Sequence, residues 1–527
     1  MPGSFFGLDI ANTALSAAQV LMDVAGQNIA NDATPGYSRQ VADPATTTAY
    51  AQPDMGGTYT PQLGTGVEIS NVHRVRASYL DGLFRTTQSA VGLYTTSQSY
   101  LTAAQSVLNE PGQNGLSAAM NRFFSDFQTL SQNPQSSAAR TVVQQDGEAL
   151  TAQIQQIYQG LQNVGQQAQT QATQDVATVN SDLQQLANLN GTIASAQALG
   201  QQPNNLLDQR DNVLNSLSKL IPITVTQTVT LPGGAPAPQG TLTPNAITQV
   251  SVSIQDASGN PITLLSGQSY GILTLTPSAT AGAPQFSLTA TAAGAAAGTL
   301  GTTIAPTQGT IGAAYQFVNT DLNPTAAGPP PSLMYQFTQA ISNLASAVNT
   351  QQQAGYQDAA STGTGTTTTW SPGPAFFTAQ NPSGTTPAPA ISPANIEVNP
   401  LIQSNGNYIA ASAAETTTSG GTTTTTGSAG DGANATAIAN IAQQTGGPLS
   451  QYASFVSNMG SQVDLAQNLG NTAQSLLSQV TSQQSSVSGV SINQEMSNLV
   501  QAQAMYTAAA KVAQIMDSSL QSLISAV

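Results

Sequence analysis

The 527-residue chain has 9 Lys and Arg against 24 Asp and Glu, one His and no Cys, and only 6% of its residues are charged. Average usage is about 25% charged, so neutral polar residues hold its surface. With a net charge of -15 and no basic patch, a phosphate backbone or an anionic lipid surface is repelled, no apolar run reaches the roughly 18–20 residues of a membrane span, and disulfides and thiolate metal sites cannot form.

Taken in chain order, the first element is a helix from about Gly3 to Asn31. Leu8, Ala11, Leu15, Ala18, Met22, Ala25 and Ile29 alternate steps of three and four, the spacing of a helix with one seam turned to a partner. The run Asn31-Asp32-Ala33-Thr34-Pro35-Gly36 closes it with a Pro-Gly turn. Because the first Arg is Arg39, the N-terminus has no basic region of the kind a cleaved secretory signal needs, and none is expected. Tyr37 to Tyr79 reads as an extended connector with short β-like alternation at Val67 and Ile69.

Helical periodicity returns near Tyr79 and runs through Phe124, Leu130, Ile154, Ile157, Leu161 and Val164 to Val176, Val179, Leu183 and Leu186, ending near Gly200. Another helix spans Leu206 to Leu220. At Pro222 the period falls to two, with Ile223 and Val225, then Val250, Val252 and Ile254, then Leu273 and Leu275. This β-rich stretch reaches Ala327 and is bounded by Gly-Pro-Pro-Pro. A helix follows from Leu333 to about Gln353. The Thr- and Gly-rich tracts at Thr362–Thr369 and Thr416–Thr426 hold little apolar surface to bury and read as loops.

Helix resumes at Ala433, carried on by Tyr452, Phe455, Met459, Val463, Ala466, Ala473, Leu477 and Val480. Ser488-Gly489 interrupts it, and Ser491 with Gln494 reads as a capping box for the last helix. Its seam takes Ile492, Met496, Leu499, Gln503, Tyr506, Ala510 and Ala513, then Met516, Leu520, Leu523 and Val527.

The expected fold is therefore mixed α and β and multidomain. It combines long terminal coiled-coil helices, a helical bundle made from both chain halves, and an inserted β-rich domain. The expected boundaries are a seam helix at 1–40 pairing with 489–527, helical parts at 41–221 and 433–488, the β-rich insert at 222–327, and a mixed region at 328–432. The residues expected to carry self-assembly are Leu8, Leu15, Met22, Ile29, Ile492, Met496, Leu499, Tyr506, Leu520 and Leu523. Packing of the two helices on each other within one monomer is the plainer alternative. Ala-rich seams at both extremes would bury little surface that way, and neighbouring copies would bury more.

Catalytic patterns are missing. Gly267-Gln268-Ser269-Tyr270-Gly271 matches a nucleophile elbow, but the hydrolase order needs a His after the Ser and His73 lies far upstream. It reads as a turn between strands. Asp256, Asp321, Asp358, Glu397, Glu415 and Asp431 show no paired spacing, and no catalytic, cofactor or metal residues are assigned.

Asn28-Ile29-Ala30-Asn31 followed by Thr34-Pro35-Gly36-Tyr37-Ser38-Arg39 resembles the N-terminal signature of bacterial flagellar rod, hook and hook-associated proteins. Leu206-Leu207-Asp208-Gln209-Arg210-Asp211, running into Leu217-Ser218-Lys219-Leu220, resembles the hook-associated protein 1 family, the first hook–filament junction proteins. Gly64-Thr65-Gly66-Val67 with Arg74 and Tyr79, Asn349-Thr350-Gln351 with Ala354-Gly355-Tyr356, Gly430-Asp431 with Asn434-Ala435, and Gly489-Val490 through Glu495-Met496 to Tyr506, Ala509 and Lys511 add to the likeness. It spans roughly Met1 to Leu220 and Leu333 to Val527 and leaves Pro222 to Ala327 unmatched.

The resemblance implies a structural, non-enzymatic subunit exported through the flagellar type III apparatus without a cleaved signal. It would form a ring of copies between hook protein below and the second hook-associated protein and filament above. No cofactor, nucleic acid or membrane is expected, and an export chaperone is expected on Ile492–Val527. The competing readings are another axial protein, such as hook protein or flagellin, a Ser/Thr-rich secreted adhesin, and a glycan hydrolase using acids of the β domain.

Overall fold

The computed structural model describes residues 6–51, 62–230, 247–280, 283–296, 298–328, 331–358, 370–381, 389–419 and 422–525. Helix α1 (Phe6–Ala30) leads into strand β1 (Gln40–Thr46), the short pair β2 (Tyr50–Ala51) and β3 (Gln62–Leu63), and β4 (Val67–Arg74). The expected connector is thus an antiparallel hairpin, with Gln40 opposite Arg74 and a register shift where Pro44, lacking an N–H, cannot continue the ladder.

Three helices replace the single long periodic run: α2 (Ser78–Leu108), α3 (Leu116–Gln132) and α4 (Ser137–Ala198). Asn109 in the left-handed conformation and Pro111 separate the first two. Asn133-Pro134 separates the next, and the Ser136 hydroxyl caps α4 by accepting from the Ala139 N–H at 3.2 Å. At 1.5 Å per residue the 62-residue α4 is roughly 93 Å long. Helix α5 (Asn204–Leu220) then turns back along it.

Beyond Pro222 come β5 (Thr224–Thr230), β6 (Ile247–Gln255), β7 (Pro261–Ser266) and β8 (Ser269–Tyr270) in one four-stranded sheet. A three-stranded sheet follows, with β9 (Leu273–Thr280), β10 (Ala283–Ala290) and β11 (Thr302–Ile304). The elbow-like Gly267-Gln268 is the two-residue turn joining β7 to β8, with Gly267 at φ +59°, a conformation that favours glycine. Ser269 is exposed there, while His73 sits on β4 beside Asp43 at 2.9 Å. The stretch does not end in strands. Helix α6 (Gly309–Gln316) and a π-helical turn at Phe317–Asp321 return it to the helical body, where Phe317 stacks on Tyr100 with ring centroids 5.3 Å apart.

Helix α7 (Leu333–Ala354) is followed by β12 (Tyr356–Asp358), β13 (Trp370–Pro372), β14 (Phe377–Ala379), β15 (Ile396–Val398) and the short α8 (Pro400–Ser404). The tract at Thr416–Thr426 is not a loop. Its β-branched threonines form a hairpin of β16 (Glu415–Ser419) and β17 (Thr422–Thr426), in which the Thr417 and Thr424 hydroxyls lie 3.1 Å apart. The tract at 362–369 lies outside the described residues. Helix α9 (Ala433–Ala439), α10 (Pro448–Ser488) and α11 (Ile492–Ser525) complete the chain.

Two cores result. The larger joins α2, α3, the first half of α4, α7, α9 and α10. At its centre Phe123 touches Phe124, Phe127, Phe376 and Phe377, with centroids between 5.2 and 5.7 Å, and Phe337 of α7 packs on Tyr452 and Phe455 of α10. The smaller packs the second half of α4 and α5 against both larger sheets through residues such as Val179, Leu183, Leu214, Val252 and Leu264.

Candidate functional site

The two chain ends lie side by side. Helix α1 packs along α11, and α2 along α10, so the terminal pair continues from the helical body across the break at Ser488–Gly489. The face of α11 turned to α1 consists of Glu495, Leu499, Ala502, Ala509, Ala513, Met516 and Leu520. Ala502 and Ala509 are 2% and 8% exposed, and opposite them Ala11, Ala17, Ala18 and Ala25 of α1 are buried. Small side chains let the two backbones approach closely.

The residues expected to carry self-assembly divide between this pair and the surface it leaves open. Leu499 and Leu520 lie half-buried in the pair, as do Leu8, Leu15, Met22 and Ile29 of α1. Ile492 and Met496 are each 48% exposed, and Tyr506 is exposed as well. The Leu523 side chain and Val527 lie outside what is described. Alanines close the centre of the pair, while Ile492, Met496 and Tyr506 are left uncovered by it.

Those outward residues surround the helix. With 3.6 residues per turn, Ile492 and Met496 lie on one flank, Met505 and Val512 on the other, and Val500 and Ile515 at the back; all are exposed. Large apolar side chains therefore stand among polar ones on faces of α11 that α1 does not cover.

Where the terminal pair meets the body, the chain concentrates its charge. Asn28, fully buried, donates to the Gln40 carbonyl at 2.9 Å and to Glu495 Oε2 at 3.1 Å. Its own Oδ1 accepts from the Tyr37 hydroxyl at 2.9 Å and the Gln40 N–H at 3.0 Å. Arg39 lies 3.8 Å from Glu495, and its backbone N–H donates to the Ser488 carbonyl at 2.9 Å. The first turn of α11 is thus tied through Glu495 to the signature loop after α1. Burial, together with the nearby charges of Asp208 and Glu495, pushes the Tyr37 phenol up to about 12, keeping it a neutral donor.

Asp208 and Asp211, one turn apart on α5, form the second tier. Asp208 accepts from the Ser38 hydroxyl at 2.7 Å and its N–H at 3.2 Å. Arg74 reaches Asp208 at 2.6 Å and Asp211 at 2.9 Å, and Arg85 reaches Asp211 at 3.4 Å. Arg76 grips Asp81 with two nitrogens, at 2.6 and 3.1 Å, and Gln484 of α10 donates to the same carboxylate at 2.6 Å. Burial raises the carboxyl of Asp211, but Arg76, Arg74 and Arg85 more than offset it and hold it below the ordinary range. Gly36, at φ +76°, keeps the loop against α5; a Cβ there would collide with the Asn212 side chain.

Five of the chain's nine cationic residues, Arg39, Arg74, Arg76, Arg85 and Arg210, therefore lie at this root. The two signature segments and Glu495, far apart in sequence, converge there. Arg76 and Asp81 carry no motif, and their scarcity value in a nearly uncharged chain was the available signal. Nothing in the arrangement is catalytic: the carboxylates are engaged by arginines and the hydroxyls by structural partners.

The family model for the flagellar hook-associated protein FlgK helical domain matches residues 101–366, about half of the 527. The chain belongs to the FlgK family. The model for the C-terminal region of the flagellar basal body rod FlgEFG proteins matches residues 482–526, which cover the end of α10 and all of α11. Flagellar hook-associated protein 1 of Bacillus subtilis is 28% identical over 99% of this chain and 98% of its own. Its counterpart in Salmonella typhimurium is 30% identical over 41% of this chain and 38% of its own. The flagellar hook junction protein FlgK from Burkholderia pseudomallei shares the fold, with a TM-score of 0.58 and 16% identity over 77% of this chain and 100% of that one. As a FlgK-family member the chain is a structural component of the flagellum rather than an enzyme, and no described helix is long and apolar enough to cross a membrane.

Proposed function

We propose that the chain is the subunit that joins hook to filament, passing through the flagellar export channel and then assembling in a ring with copies of itself. The observation that carries this reading is α11, exposed on the flanks and back that α1 leaves uncovered. At roughly 25 cal/mol per Å² of apolar surface, a few hundred Å² buried per helix favours docking. In this reading the terminal pair at 1–40 and 489–527 forms the inner layer, the helical parts at 41–221 and 433–488 the next, and the β-rich insert at 222–327 faces outward. Hook protein lies below the ring, the second hook-associated protein and filament lie above, and an export chaperone shields Ile492–Val527 beforehand.

Deletion of the gene, followed by electron microscopy of the cells and assay of the medium for flagellin, tests the role. Hooks without filaments and flagellin lost to the medium are expected; intact filaments would falsify it. Ile492→Asp or Met496→Asp, on the exposed flank of α11, tests the mechanism. Each is expected to leave the helical body folded by circular dichroism and to abolish incorporation at the hook tip.

A further inference from the structure

A cleft of about 760 Å³ opens between α2, α5 and the outer strands β5 and β6. Four guanidinium groups line it, those of Arg74, Arg76, Arg85 and Arg210, against two carboxylates, Asp81 and Asp211. Three of the four are paired: Arg74 with Asp208 and Asp211, Arg76 with Asp81, Arg85 with Asp211. Arg210 is the exception. It is 3% exposed, yet no carboxylate lies within ion-pair distance of it among the described residues. Its Nη1 has two long contacts with neutral acceptors, Asn190 Oδ1 at 3.4 Å and the Thr248 carbonyl at 3.3 Å, and its Nε has no hydrogen-bond partner.

A buried charge is normally paired, because its desolvation is otherwise uncompensated. Neutralisation by proton loss does not resolve the case. Burial, with repulsion from Arg74 and Arg85, brings Arg210 down only to about 10 against the pull of Asp211, so it stays charged at neutral pH. In a chain of net charge -15, this cleft is a local excess of positive charge, with a planar fork suited to two-oxygen acceptors.

We propose that the cleft is an oxyanion site in which Arg210, flanked by Arg74 and Arg85, receives a phosphate or carboxylate group. The same chemistry has two sources, a free anion or an acidic side chain of a neighbouring chain. The proposal stands apart from the ring reading, since every arginine of the site comes from one chain and phosphate binding is read on that chain alone.

Inorganic phosphate titrated into the full-length protein at constant ionic strength, against chloride, is the direct test. Saturable binding is expected, with hydrogen-exchange protection confined to the cleft walls at 74–86, 204–220, 224–230 and 247–255, and this readout needs no variant. Arg210→Gln is expected to weaken binding at least tenfold, Arg210→Lys less, and Arg122→Gln, on the exposed side of α3, not at all. Phosphate that binds without affecting self-association identifies a free anion. Phosphate that inhibits self-association with the same half-saturation identifies a neighbour's carboxylate. Absence of saturable phosphate binding by the wild type, or protection elsewhere in the chain, overturns the proposal.

Discussion

The helical body and the terminal pair are built from similar periodic sequence, yet they close in opposite ways. In the body, Phe123, Phe127, Phe337 and Phe455 turn inward and are buried within one chain. In the terminal pair alanines turn inward, and Ile492, Met496, Val500, Val512 and Ile515 turn out. The body closes its aromatic core within one chain. The pair is half of a packing problem, joined to the body by a buried polar root rather than by more apolar surface.

The comparison is broken most directly from the body side. Phe123→Ala is expected to lower its unfolding free energy by about 3–5 kcal/mol, the usual cost of a large-to-small change in a closed core, as read by urea denaturation. At the root, Asp211→Asn leaves three arginines short of a partner and is expected to cost about 3 kcal/mol. Its pH dependence has a definite sign. A carboxyl held low by arginines stabilises the fold fully above its unfolded value of about 3.9, and that contribution is lost as pH falls through the lower folded value; the variant should not show this loss.

Asp321, at the end of the π-helical turn, has the opposite sign. Burial pushes its carboxyl up to about 7, so its contribution declines as pH rises from about 4 to about 7. Asp321→Asn should therefore raise the urea midpoint at pH 8 and leave it unchanged at pH 3. The smallest effect is expected on the outer face of α11, where Val500→Ser should change monomer stability by less than about 0.5 kcal/mol. If it does not slow self-association, the outward stripe is not an interface.

Much of the helical framework was legible because 3.6-residue periodicity survives in a chain with few charges, and the change of period at Pro222 marked the strands. What periodicity could not supply was distance. Asn28 and Glu495 are 467 residues apart, and Asp208 meets Ser38 and Arg74 only once α5 folds back toward β1 and β4. The signature residues were readable as a pattern, their meeting at one root was not. Spacing of three and four does not by itself separate the residues that face α1 from those left exposed, because close helix approach accepts alanine as readily as leucine. The Thr hairpin was missed for a related reason: β-branched residues form strands even where both faces remain in water.

The placement of charge also sets the protein's response to salinity. Screening acts strongly on exposed ion pairs and weakly on buried ones, over a Debye length of about 10 Å at 0.1 M and 3 Å at 1 M. Here the body is closed by aromatic contact, and the joint between body and termini is held by arginines and aspartates such as Arg76, Asp81, Asp208 and Asp211, largely withdrawn from solvent. The joint is expected to keep its geometry from fresh water to brine, because ion pairs so placed are weakly screened.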